Sequence, residues 1–89
     1  MENTEKTQLS VYRDEINAID DELVKLLIKR MQTAGKIGAY KKEAGLPVLN
    51  VKREEEVKER LLAEVPGELK TSISRLYDAI FQISRDYQE

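Results

Sequence analysis

Apolar positions along the chain repeat with helical periods. Tyr12, Ile16, Ile19, Leu23 and Leu26 step by four, three, four and three, a heptad-type seam. Leu27, Ala34, Ile37, Tyr40 and Ala44 widen and continue it, and no proline interrupts. Gly45-Leu46-Pro47 then supplies a left-handed residue, an apolar residue and a helix breaker. A first helix of about 35 residues, roughly 50 Å long, is therefore predicted. A second helix starts near Asn50, a good N-cap, carries Val57, Leu61 and Val65 on one stripe, and ends at Pro66-Gly67. A third runs from about Glu68 to the C-terminus, with Leu69, Ile73, Leu76, Ile80, Ile83 and Tyr87 on a second heptad-type seam. No strand pattern, repeat or low-complexity tract is present. The first residues are polar and aperiodic, so residues 1–9 are expected as a flexible arm and residues 10–89 as one all-α helical domain.

The lengths carry a consequence. A helix of about 50 Å is roughly twice the width of a globular domain of this size. Two shorter helices of about 15 and 20 residues cannot cover its whole apolar seam. A second copy of the chain is the simplest cover, and 89 residues make a marginal monomer in any case.

Polar residues that interrupt the apolar faces come next. Arg30 lies within about 20° of Leu23 on a helical projection, and Lys41 lies five turns after Leu23 on the same side. These cations flank Ile37 about 16 Å apart, and their long side chains can either converge on one point or snorkel to water. Glu54 shares the stripe of Val57 and Leu61, with Asn50 one turn before it and Arg53 at its border. A carboxylate on that face needs a ligand or an internal partner, for which Arg30 and Lys41 are the candidates. Ser84 falls beside Ile80 and Ile83, and Gln88 follows one turn later. A serine there can equally bond back to a carbonyl of its own helix. Arg13 stands about 25 Å before Arg30 along a straight helix, so it either serves the same pocket from another protomer or is an ordinary exposed arginine.

Composition narrows the chemistry. There is no Cys and no His, which removes a thiol nucleophile, the commonest general base and the usual metal ligands. Neither a metal nor a cofactor is expected. The net charge of −2 and the lack of a basic aromatic face argue against nucleic acid. No apolar run approaches a membrane span or a signal core, so no membrane partner is expected and the cytoplasm is the default compartment. Several cations, one carboxylate, small polar groups and aliphatic walls suit a small organic polyanion bearing a hydroxyl. They also suit chemistry that works by orientation and electrostatics, without a covalent intermediate.

These residues resemble the all-α (AroQ-class) chorismate mutases. The similarity covers Leu9 to Gln88 and is carried by YRDEINAIDDELVKLLIKR at 12–30, GAYKKEAGLPV at 38–48, KREEEV at 52–57 and SRLYDAIFQISRDYQ at 74–88. The resemblance implies an intertwined homodimer of three-helix chains that turns chorismate into prephenate by a Claisen rearrangement, on the route to phenylalanine and tyrosine. By position, Arg30 and the Arg13 of the other protomer would bind the substrate carboxylates. Lys41 and Gln88 would hydrogen-bond the ether oxygen, and Glu54, with backbone near Asn50, would accept from the ring hydroxyl. Ser84 would sit beside the ring carboxylate, Arg53 would support the anionic environment, and Ile37 and Phe81 would be walls. A neutral glutamine at position 88 needs no proton, so an acidic optimum is not required. Two departures stand out: Asn50 where family members often have Asp, and Arg85 where an apolar wall residue is common. Two other activities fit the same scaffold, an isochorismate pyruvate lyase and a non-catalytic dimeric helical regulatory module. Glu54 with Gln88 favours the mutase over the lyase.

Overall fold

A computed structural model describes residues 7–89. Residues 1–6, the greater part of the expected arm, lie outside the described residues. Three α-helices follow in order: α1 (Gln8–Ala44), α2 (Val51–Leu62) and α3 (Lys70–Gln88), with a 3-10 turn (Gly67–Leu69) leading into α3. The described residues contain no strand. Gln8 and Leu9 are already helical. The chain divides into two compact units, residues 1–30 and 31–89.

In the first unit, Thr7 caps α1. Its Oγ1 accepts from the Ser10 backbone N–H at 3.0 Å, and its carbonyl accepts from the Ser10 hydroxyl at 3.1 Å. The first of these satisfies an otherwise orphaned N–H of the first turn. The predicted seam is regular but uncovered: Leu9, Tyr12, Ile16, Ile19, Leu23 and Leu26 are each between 47% and 61% exposed. Large apolar side chains at heptad spacing and half in water form an unpartnered face.

In the second unit, the end of α1 follows the predicted stop. Gly45 takes φ 71°, its N–H donates to the Lys42 carbonyl at 3.4 Å, and the Leu46 N–H donates to the Lys41 carbonyl at 2.8 Å. This is the paired bonding of a Schellman ending, which only a residue tolerant of positive φ completes without strain. Asn50 caps α2, its Oδ1 accepting from the Arg53 N–H at 3.0 Å. Helix α2 closes earlier than Pro66. The Glu64 and Val65 N–H groups donate to carbonyls three residues back, at 3.3 and 3.2 Å, because Pro66 bars its predecessor from the α conformation.

Helix α2 packs on α3. Val57, Ile80 and Phe81 are buried, and the Phe81 ring stands edge-on to Tyr77 at 5.7 Å between centroids. Lys58 pairs with Asp78 at 2.5 Å across the two helices. The third helix departs from its predicted seam. Of the seam residues only Ile80 is buried, while Leu69, Leu76, Ile83 and Tyr87 are 48–57% exposed. Phe81 and Ser84 are buried in their place. Helix α3 is therefore apolar on two sides, one turned into its own unit and one left uncovered.

Candidate active site

The last two turns of α3 are the meeting point of the second unit. On one side they lie against α1. Ala34 and Gly38, one turn apart on α1, are both buried. A Cβ placed on Gly38 would stand 2.9 Å from the Cα, Cβ and carbonyl oxygen of Gln88. A Cβ on Gly35 would stand 3.1 Å from the Tyr87 ring. The helices approach here to a distance that only glycine permits. Ser84, 6% exposed, lies one turn before Gln88 on the same side of α3. Neither glycine was singled out from the sequence. Two glycines three residues apart inside an otherwise strong helix former were the available signal.

Gln88 is half-buried, and its Oε1 is buried without a hydrogen-bond partner among the described residues. A buried polar atom left unpaired costs about 1–3 kcal/mol. Turning the amide over would put Nε2, a donor, in the same place. Either arrangement leaves that buried position without a partner among the described residues.

Lys41 follows Gly38 by three residues on the same side of α1. It is half-buried, and its Nζ donates to the Val48 carbonyl at 2.8 Å. The ammonium is thus held by the loop between α1 and α2, with two of its three donors still to place. Glu54, in the first turn of α2, binds Arg85 of α3: Nη1 donates to Oε2. Arg85 is therefore a partner of Glu54, which the expectation had sought in Arg30 or Lys41. Arg85, which stands where an apolar residue was expected, thus holds the Glu54 carboxylate. Both side chains are about one-quarter exposed, at 23% and 24%. The second Arg85 nitrogen, Nη2, donates to Gln82 Oε1 at 2.9 Å, and Gln82 Nε2 donates to Asp86 at 3.0 Å.

The remaining predicted residues sort less evenly. The Asn50 side chain is engaged as the α2 cap, and its Oδ1 faces the backbone of Arg53. Arg53 is 62% exposed and pairs loosely with Glu56 at 3.9 Å. Phe81 is buried beside Tyr77, whereas Ile37 is 46% exposed. Arg13 and Arg30 belong to the first unit, Arg13 exposed and Arg30 half-buried. Among the described residues no His/Cys/Asp/Glu cluster could hold a metal, and no helix is long and apolar enough to cross a membrane.

The second unit thus holds an ammonium oriented by the Val48 carbonyl, a carboxylate paired with Arg85 and an amide with one buried, unpartnered oxygen. Such a set can recognise a hydroxylated anion and stabilise charge moving onto one of its oxygens.

The chain is similar to known proteins in sequence and in fold. The chain is 40% identical over 55 residues to the bifunctional chorismate mutase/prephenate dehydratase of Aquifex aeolicus (strain VF5), a match covering 62% of this chain and 15% of that protein. The chain therefore spans only a small part of that relative. Its fold matches the chorismate mutase (form I) structure from Thermus thermophilus with TM-score 0.83 at 34% identity, over 88% of this chain and 99% of that one. It matches a conserved hypothetical protein from Pyrococcus furiosus with TM-score 0.78 at 38% identity, over 96% and 100% of the two chains. The family model described as chorismate mutase type II matches residues 12–89, from the second turn of α1 to the C-terminus. By that match, which takes in every polar residue found on the apolar faces, the chain belongs to the type II chorismate mutase family.

Proposed function

We propose that this chain converts chorismate to prephenate in aromatic amino acid biosynthesis, as a cytoplasmic homodimer with shared sites. The observation that carries the proposal is the family match over residues 12–89, which spans all three helices and their charged residues.

The reaction is intramolecular, so no group is transferred and no nucleophile or base is required. The protein must select a compact substrate conformer and stabilise the charge that separates as the ether bond breaks. Negative charge grows on the ether oxygen. Lys41 is suited to meet it, because its half-buried ammonium is already oriented by Val48. Gln88 is suited to share that oxygen, since a donor amide turned inward would relieve the unpaired buried position. Glu54 would accept from the ring hydroxyl, and Ser84 would lie beside the ring carboxylate. Arg30 would bind a carboxylate, joined by the Arg13 of a second copy. Asn50 acts mainly as the α2 cap and Arg53 as a distant charge, in keeping with their positions.

The second copy is supported by two uncovered faces, Leu9 to Leu26 on α1 and Leu69, Leu76, Ile83 and Tyr87 on α3. Both repeat at heptad spacing, the pattern of helices that pair. Burying a large apolar side chain contributes about 1.5–3 kcal/mol, so these half-covered rows leave a substantial driving force for association.

Product analysis tests the activity. Chorismate given to the purified chain is expected to disappear with prephenate as the product. Pyruvate and salicylate from isochorismate would instead identify a lyase, and no turnover of either would leave a binding module.

A further inference from the structure

We propose that Arg85 is a positioning residue for Glu54: its guanidinium, steadied by Gln82, fixes the Glu54 carboxylate so that the remaining oxygen meets the substrate hydroxyl. The proposal rests on the mutase reading of the site and adds to it a residue that the family pattern leaves apolar.

Geometry supports the role. A guanidinium is a rigid planar fork, and Arg85 has two of its nitrogens committed to different partners, Nη1 to Glu54 and Nη2 to Gln82. The plane therefore has one orientation, and it dictates where Glu54 Oε2 must lie. Oε1 is then presented at a defined place beside the start of α2. Both members of the pair are largely buried: Lys25–Glu22 is 72% and 71% exposed, Arg53–Glu56 62% and 53%, and Lys58–Asp78 27% and 65%, whereas Arg85–Glu54 is 23% and 24% exposed. Exposed pairs contribute little, but a pair taken largely out of water holds its geometry. Finally, it joins residues 31 apart in sequence, on separate helices. A glutamate left loose would have to be ordered by the ligand itself, a loss of roughly tenfold in affinity.

Direct attraction between Arg85 and a substrate carboxylate is the competing role, and the two separate by ligand. Two cyclic dicarboxylates that mimic the compact conformer, identical except for the ring hydroxyl, are titrated calorimetrically into the full chain. Wild type is expected to prefer the hydroxylated one. Arg85→Met should weaken the hydroxylated ligand about tenfold and the other less than about twofold, with the loss in turnover appearing mainly in KM. Arg85→Lys should recover part of the preference. Gln82→Ala, at an exposed position, should produce a smaller loss with the same selectivity, and it carries the test if Arg85→Met does not fold. In a Glu54→Gln background, Arg85→Met should add little. Equal weakening of both ligands, or no weakening of either, would overturn the positioning role. Failure of wild type to bind either dicarboxylate would instead overturn the mutase reading, and the Arg85 role with it.

Discussion

Gly38→Ala isolates the helix contact beneath Gln88. The added methyl would lie 2.9 Å from Gln88 Cα, Cβ and carbonyl oxygen, whereas carbon atoms settle at about 3.5–4.0 Å. The last turn of α3 must then retreat by roughly 0.6–1 Å. No rotamer change relieves this, because two of the three atoms belong to the backbone. Stability and activity should respond differently. Replacing a mid-helix glycine by alanine gains up to about 1 kcal/mol of helix propensity, while overpacking costs about 1–3 kcal/mol. By these terms the net change runs from about zero to a loss of about 3 kcal/mol, less than the roughly 5–15 kcal/mol that holds a native fold, so the variant is expected to fold. Catalysis is less forgiving, since a displacement of about 1 Å of a reacting group's partner can cost about a hundredfold. We expect kcat to fall by about that factor in steady-state chorismate turnover, while urea melts still show a cooperative fold whose stability loss is no more than about 3 kcal/mol. Gly35→Ala is the control. Its methyl would meet the exposed Tyr87 ring at 3.1 Å, and that ring can swing aside. Gln88→Ala should lower kcat similarly, and Gly38→Ala placed on top of it should cost little more, because both act through one group. Wild-type turnover in Gly38→Ala, or losses that simply multiply in the double variant, would refute this account of Gln88.

Lys41→Ala should lower kcat by about a hundredfold or more, about 3 kcal/mol, with a smaller change in KM, because the ether oxygen gains charge mainly in the transition state. Steady-state kinetics decides it: a raised KM at constant kcat would make Lys41 a binding residue only. Asn50→Ala should destabilise the fold by about 1 kcal/mol through loss of the α2 cap, whereas Asn50→Asp, an equally good cap, should not. Urea denaturation compares the two, and equal stability of Asn50→Ala and wild type would remove the capping role.

Much of this molecule is readable from its chain. The Gly45-Leu46-Pro47 stop is an instance where local chemistry decides alone, and α1 ends there with the expected backbone bonds. Asn50 likewise reads as a cap and acts as one. The third helix shows where periodicity runs out. Its apolar residues occupy two sides, and spacing does not say which side meets its own chain. Ile83 and Tyr87 share the predicted seam with Ile80 yet lie about half exposed, while Ser84, beside that seam, is buried. The Glu54 partner was also hidden, because Arg85 lies 31 residues away and only the packing of α2 on α3 brings them together. The spacing of Gly35 and Gly38 marks a close approach but does not say that Gln88 is what approaches.

The central claim is a mutase site shared between two copies, and subunit exchange tests it most directly. Arg13→Ala and Arg30→Ala are each expected to be nearly inactive while still folding and assembling. When the two are mixed and allowed to exchange, a heterodimer carries both defects in one site and none in the other. Prephenate formation should then recover toward one wild-type site per heterodimer. If Arg13 serves its own subunit, every site keeps one defect. No recovery under verified exchange would contradict the shared site.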